Sequence, residues 1–352
     1  MKWLLFSTSL IFTFCTSEPG PGPVPVQYDF TKVDTYVDAH LKEYSNAVAV
    51  LVSKDNAVIY KKEANLDITQ PRIIASASKW LSAAVIMSLI DEKKLSLNDT
   101  VGKFLPLFTK HGKGNITIRQ LFSHTSGFPG DSQQRYEYNQ DLTLAAAVDS
   151  FALYTDMVHK PGEAFNYGSV SMHIAGRIAE VVSGKRWQTL FNERIANPCE
   201  MDANYILIRP ANPLIAGGVR TSARDYLNFL EMLLNKGMFH QRRVLSEAAV
   251  NAMLQDQTAG AVIENTPYPI NPLTPYKAGE VRYGMGNWRD VVNANGVAEE
   301  NSSPGAFGAH PWIDIKHHVA GIIFTRTTPK ISNTSSLKIR EMVRNILDGK
   351  PV

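Results

Sequence analysis

Residues Trp80 to Ile90 are apolar nearly all the way round. A helix with that pattern has no face to give to water, so the chain must build a core around it. Directly ahead of it runs Arg72-Ile-Ile-Ala-Ser-Ala-Ser-Lys79. Ser76 and Lys79 stand at i and i+3, which is one face of a helix. A lysine at the start of a buried helix is desolvated, and burial disfavours its charged form. A neutral amine beside a serine hydroxyl is a general base beside a nucleophile. The same spacing recurs at Ser335 and Lys338, on a polar segment where no burial is expected. Spacing alone therefore does not mark a site; the setting around Ser76 does.

The 352 residues suffice for one large domain or two modest ones. Hydrophobic residues make up 44% and charged residues 20%, the range of a soluble globular protein. The net charge is only +3 and no run of Lys or Arg stands out, which argues against a nucleic-acid partner. The cysteines are Cys15 and Cys199, without metal-type spacing, and the histidines are scattered. No metal or other cofactor is implied. The adjacent pair His317-His318 reads as a solvated turn.

Met1-Lys2 followed by Trp3 to Phe14 reads as an export signal, too short to span a bilayer. Two outcomes are open. Cleavage after Ser17 releases a secreted or periplasmic protein. Alternatively, residues 1–14 are a lipoprotein signal and Cys15 is the lipidated residue that tethers the chain to a membrane. Phe14 stands where a small residue ordinarily precedes such a cysteine. The Pro/Gly-rich stretch over 18–29 is a semi-extended spacer.

Beyond it, Phe30 to Tyr44 reads as an amphipathic helix. Ala47–Ser53 and Ala57–Lys62 read as a hairpin. Thr117–Ser123, Leu142–Leu153, Val170–Val182, Trp187–Ile195 and Asp225–Asn235 read as helices. Thr258 to Arg282 reads as a long loop. The apolar runs Ala309–Ile315 and Val319–Thr325 read as a second hairpin, and Ser335–Leu347 as a closing helix. Strands at both ends with helices between predict an α/β chain of the α+β type. Its antiparallel sheet comes from 30–93 and 216–350, with an all-helical insertion over 94–215.

Two further stretches carry chemistry. Tyr167 lies in Pro161-Gly-Glu-Ala-Phe-Asn-Tyr167, on a turn into the Val170 helix, with Ser169 just after it. A phenol near a lysine can pass a proton to a leaving group. Ser303-Pro-Gly-Ala-Phe-Gly308 precedes the late hairpin. Gly305 lets the backbone approach a substrate closely, and the Ala306 N–H can pair with that of Ser76 as an oxyanion hole. Taken singly, these read equally well as a packed tyrosine and an ordinary turn.

In this order, Ser76-x-x-Lys79, Tyr167-Gly-Ser169 and Ser303-Pro-Gly305 resemble the motifs of serine β-lactamases and penicillin-binding proteins. The chain looks most like the class C β-lactamase-related serine hydrolases, a group that includes D-alanyl-D-alanine carboxypeptidases and esterases. The resemblance runs from about Val33 to Ile346. It also covers Thr117-Ile-Arg-Gln-Leu-Phe-Ser-His-Thr-Ser-Gly127 and Ala216-Gly-Gly-Val219. It implies a β-lactamase/transpeptidase-like fold, with Ser76 as nucleophile, Lys79 as its base partner, Tyr167 as proton shuttle and the Ser76 and Ala306 amides as oxyanion hole. His124 falls in a motif of structural character, under the site. Ser169, Ser303 and Gly305 are the expected substrate-binding positions.

There are two departures. Ser169 stands where β-lactamases hold a substrate amide with asparagine. Ser303 stands where the family carries lysine or histidine, so the cation that would meet a substrate carboxylate is missing, unless Arg220 or Arg289 supplies one. Both changes favour a small neutral ester. The expectation is an exported serine hydrolase working through an acyl-enzyme on an ester. The alternatives are a D-alanyl-D-alanine peptidase or weak β-lactamase and, from another class, a non-catalytic relative that binds cell-wall peptides or a partner protein.

Overall fold

A computed structural model of the chain describes residues 27–206, 211–267 and 282–352. The expected export signal, Cys15 and most of the Pro/Gly spacer lie outside the described residues, as do 268–281 of the stretch read as a long loop.

The main sheet has six antiparallel strands, in the spatial order Trp288–Val292, Ala298–Ser302, Ala309–Asp314, Val319–Thr325, Val48–Lys54 and Ala57–Ala64. It is assembled from both ends of the chain, as the distribution of apolar runs predicts. The joint is the pairing of Val48–Lys54 with Val319–Thr325, in which Val48 faces Thr325 and Lys54 faces Val319. Side chains alternate across a strand. Val48, Val50 and Val52 therefore pack with Val33, Val37, Ile339 and Val343 of the terminal helices Thr31–Ala39 and Pro329–Leu347. Ala49 and Leu51 turn to the opposite face, into the core that holds Trp80, Leu81 and Ala84. A strand covered on both sides needs no polar face, which explains its continuous apolar run.

The helix Ser78–Asp91 is the centre of that second core, with every residue from Ser78 to Leu89 buried. Around it pack Ile118–Phe122, Leu144–Tyr154, Val170–Ser183, Trp187–Phe191 and Ala223–Leu234. Thr117 caps the first of these through a reciprocal box with Gln120.

The structure departs from the sequence expectation in several places. The N-terminal helix breaks at His40, after which Leu41–Tyr44 continues as a tighter turn. Val262–Asn265, inside the stretch read as loop, is a strand that runs parallel to Ala164–Asn166. Ser335 is fully buried, its hydroxyl donating to Glu43 Oε2 at 2.5 Å, whereas Lys338 points out to Glu341. The second Ser/Lys pair is thus split between core and surface. His317 does lie in a turn, but it is half-buried there and clamped by Asp314 at 2.6 Å and Asp348 at 2.8 Å, so it fastens the chain end to the hairpin.

Candidate active site

Ser76 sits in the single tight turn Ala75–Ala77 that opens the Ser78–Asp91 helix. Ala75 takes a φ of 47°, a left-handed conformation that costs a non-glycine residue roughly 1–3 kcal/mol. The surroundings hold the turn there. Arg72–Ile73 pairs with Val219–Thr221, the Ser78 hydroxyl accepts the Val219 N–H at 3.0 Å, and the Tyr226 hydroxyl donates to Ala77 O at 2.8 Å. Ser76 is thereby presented half-buried at the helix mouth, and Lys79 follows on the same face.

Lys79 Nζ donates to Ser76 Oγ at 3.1 Å and to Ala216 O at 3.0 Å. The side chain is 2% exposed. Burial draws its pKa down to about 7, against a smaller opposing pull from Asp131. The Ala216-Gly-Gly-Val219 motif thus contributes a carbonyl that fixes the lysine without neutralising it.

Tyr167 closes the other side. Its ring lies 4.5 Å from Lys79 Nζ, 5.4 Å from the Trp288 ring and 4.7 Å from the His124 ring. Its N–H donates to Asn265 O at 2.9 Å, so the strand hidden in the polar stretch helps to seat it. Burial pushes the phenol pKa up, and a hydrogen bond with the Ser76 side chain acts the other way. His124 is buried, and burial holds its imidazole well below the ordinary range. A neutral ring packed on Tyr167, Phe165 and Tyr283 fits a supporting place under the site.

The third stretch packs directly on the Ser76 turn. A methyl added at Gly305 would lie 1.9 Å from Ile74 O and 3.0 Å from Ala77 N, so only glycine fits. Among the described residues, the backbone bonds of this turn use the Gly305 and Gly308 N–H groups and not that of Ala306. Ser303 is buried, with its hydroxyl 3.2 Å from Gly286 O and 3.4 Å from Ser76 O. It is turned into the protein, not toward the opening. Arg289 donates to Leu254 O at 2.9 Å and Gly296 O at 2.6 Å. Arg220 is exposed on its short strand.

The structure therefore gathers Ser76, Lys79, Tyr167, Gly305 and Ala306 about one point. Ser169 lies beside them, its N–H donating to Gly130 O at 2.7 Å and to Asp131 Oδ1 at 3.0 Å. Asp131, Trp288 and Asn265 are neighbours that the sequence did not single out. A Gly-Asp pair in a loop looks like any turn; its one signal is its place just after the His124-Thr-Ser-Gly127 run. Among the described residues no group of His, Cys, Asp or Glu is placed to hold a metal ion. An open groove of about 1030 Å³ lies on another face, lined by Asn56, Arg224, Glu231, Asn235 and His240 among others, and holds no serine–lysine pair.

Comparison with known proteins identifies the family and the fold. The Beta-lactamase family model matches residues 33–341. A solved β-lactamase candidate from Bacteroides dorei DSM 17855 superposes with a TM-score of 0.78 at 33% identity, over 89% of this chain and 99% of that one. EstCE1, a hydrolase with promiscuous acyltransferase activity, superposes with a TM-score of 0.71 at 20% identity, over 89% and 97% of the two chains, a likeness of fold. Protein flp of Staphylococcus aureus strain MW2 is 26% identical over 183 residues, 48% of this chain and 37% of that protein. The match thus spans little more than a third of that curated relative. With the family model covering most of the chain, the chain belongs to the β-lactamase family of serine hydrolases.

Proposed function

We propose that the protein hydrolyses small esters through an acyl-enzyme on Ser76. The observation that carries this reading is the 3.1 Å approach of Lys79 Nζ to Ser76 Oγ, in a setting where burial draws the lysine pKa to about 7. A neutral Lys79 takes the hydroxyl proton as Ser76 Oγ bonds to the carbonyl carbon. The Ser76 and Ala306 N–H groups hold the resulting oxyanion. Tyr167 returns the proton to the leaving alkoxide as the C–O bond breaks. Water then attacks the acyl-enzyme by the same relay and restores the serine.

Support for a neutral ester comes from Ser303. Its hydroxyl is engaged with main-chain carbonyls and the position carries no charge. A substrate carboxylate there lacks a charge-assisted hydrogen bond, worth about 1.5–3 kcal/mol, a handicap of roughly tenfold to hundredfold. Family membership supports a second reading, a D-alanyl-D-alanine peptidase or weak β-lactamase. Comparing kcat/KM for a short-chain aryl ester, a cephalosporin and a D-alanyl-D-alanine peptide separates the two. The ester is expected to be the best substrate. Faster turnover of the β-lactam or peptide transfers the assignment to the second reading. A non-catalytic relative would turn over none and resist active-site phosphonates.

We also propose export and a tether through Cys15, supported by the apolar run Trp3 to Phe14. Cys15→Ala should move the protein from the membrane fraction to the soluble exported fraction. An unlipidated mature end near Glu18 contradicts the tether.

A further inference from the structure

Asp131 is fixed to the segment that carries Tyr167. Gly130 O accepts the Ser169 and Val170 N–H groups at 2.7 and 3.1 Å. Gly130 and Gly168 pack backbone to backbone: a methyl at Gly168 would fall 2.0 Å from Gly130 C, and one at Gly130 would fall 2.2 Å from Tyr167 O. The Asp131 carboxylate is oriented from this frame. Oδ1 accepts the Ser169 N–H at 3.0 Å and Oδ2 accepts the Tyr138 hydroxyl at 3.3 Å. A carboxylate offers about four acceptor positions, so these two bonds leave it half used. The residue is exposed, so the unused positions are open to solvent at the edge of the site.

Among the described residues its charge has no ion-pair partner; the nearby Arg135 lies over the Tyr138 ring, 4.1 Å from its centroid. Glu137 is buried and bonded to Ser132. The negative charge also reaches inward, opposing the drop in the Lys79 pKa and raising that of Tyr167. On the opposite wall Ser303 supplies no positive charge. Among the described residues the mouth of the site thus carries a fixed anion, bonded to the Ser169 N–H two residues along the chain from Tyr167.

We propose that Asp131 is a specificity-determining residue that binds a cationic group, an ammonium or guanidinium, on the non-reacting part of an ester or amide substrate. This rests on the Ser76 hydrolase reading and sharpens it. Cationic esters are preferred to neutral ones, and neutral ones to anionic ones. Asp131 touches neither the carbonyl nor the leaving oxygen; it positions the substrate by charge.

Two isosteric ester pairs test the preference. One pair compares the aryl esters of 4-(trimethylammonio)butanoate and 5,5-dimethylhexanoate, which differ only in a quaternary nitrogen on the acyl side. The other compares choline and 3,3-dimethylbutyl butanoate, with the nitrogen on the alcohol side. In at least one pair the cationic ester should have the higher kcat/KM by about fivefold, the size of a partly exposed ion pair. That ratio should shrink as salt is raised, and should fall close to one in Asp131→Asn. Ratios taken on one enzyme sample cancel the active fraction, so a poorly folding variant does not blur the result, and the salt series needs only the wild type. Equal turnover within both pairs, or a ratio unmoved by salt and by Asp131→Asn, overturns the proposal. If the Ser76 reading were the one at fault, no ester would be turned over and a fluorophosphonate would not label Ser76.

Discussion

Lys79 Nζ reaches the Ser76 hydroxyl at 3.1 Å, and its other hydrogen bond ends on the Ala216 carbonyl and not on a carboxylate. For a buried lysine bonded only to neutral acceptors, burial outweighs the pull of the more distant Asp131 carboxylate and draws its pKa to about 7. The first prediction follows from the sign of that shift. The competent form is the neutral amine, so kcat/KM for an aryl ester should fall tenfold per pH unit below about 7 and level off above it. A profile flat from pH 5 to 9 would remove Lys79 as the base.

The same shift has a consequence for stability. Between about 7 and the ordinary lysine value of 10.5, the unfolded chain holds a proton that the folded chain lacks. Stability therefore rises with pH across that window, and the cost of Lys79 is greatest below it. Lys79→Met should lower ester turnover by about 10²–10⁴-fold while leaving the protein at least as stable as wild type at pH 6. Denaturant unfolding at pH 6 and pH 9 checks this: the advantage of the methionine should shrink at the higher pH.

Tyr167→Phe keeps the ring that stacks on Trp288 at 5.4 Å and removes only the hydroxyl. Its melting temperature should match wild type, while kcat and kcat/KM fall together by about 10²–10⁴-fold, the usual contribution of a positioned acid or base. A change confined to KM would make Tyr167 a binding residue instead.

Gly305→Ala should lose both activity and stability. Its methyl would meet Ile74 O at 1.9 Å, so the Ser76 turn and the turn that holds Ala306 must part. Overpacking of this kind costs about 1–3 kcal/mol, and the displaced amide no longer faces Ser76. Calorimetry together with ester turnover checks both effects; an active variant of wild-type stability would show that the two backbones are not in contact.

Much of this was legible in the residues. The apolar girth of Trp80–Ile90 demands burial, and the apolar runs at 47–53 and 319–325 pair as neighbouring strands that join the two ends of the chain in one sheet. Ser76, Lys79 and Tyr167 stand out because each is a reactive group at a helix or turn entry. Other parts were hidden because their burial rests on charge. The strands Trp288–Val292 and Ala298–Ser302 carry Arg289, Asp290, Glu300 and Asn301, which interrupt any apolar run. Asp290 and Glu300 are nevertheless buried against Arg340, at 2.7 and 2.6 Å. Such a pairing across the fold leaves no periodic trace in the sequence. The Val262–Asn265 strand is equally silent, being mostly exposed and joined to Ala164–Asn166 by backbone bonds. Asp131 was invisible for the opposite reason: its proposed importance lies in an exposed carboxylate with no ion-pair partner among the described residues.

The central claim is that Ser76 forms the covalent intermediate, and intact mass tests it most directly. After exposure to a fluorophosphonate the wild-type protein should gain one adduct, located by peptide mapping on Ser76, and Ser76→Ala should gain none while keeping its fold. An adduct that persists in Ser76→Ala, or a folded wild type that gains none, contradicts the account.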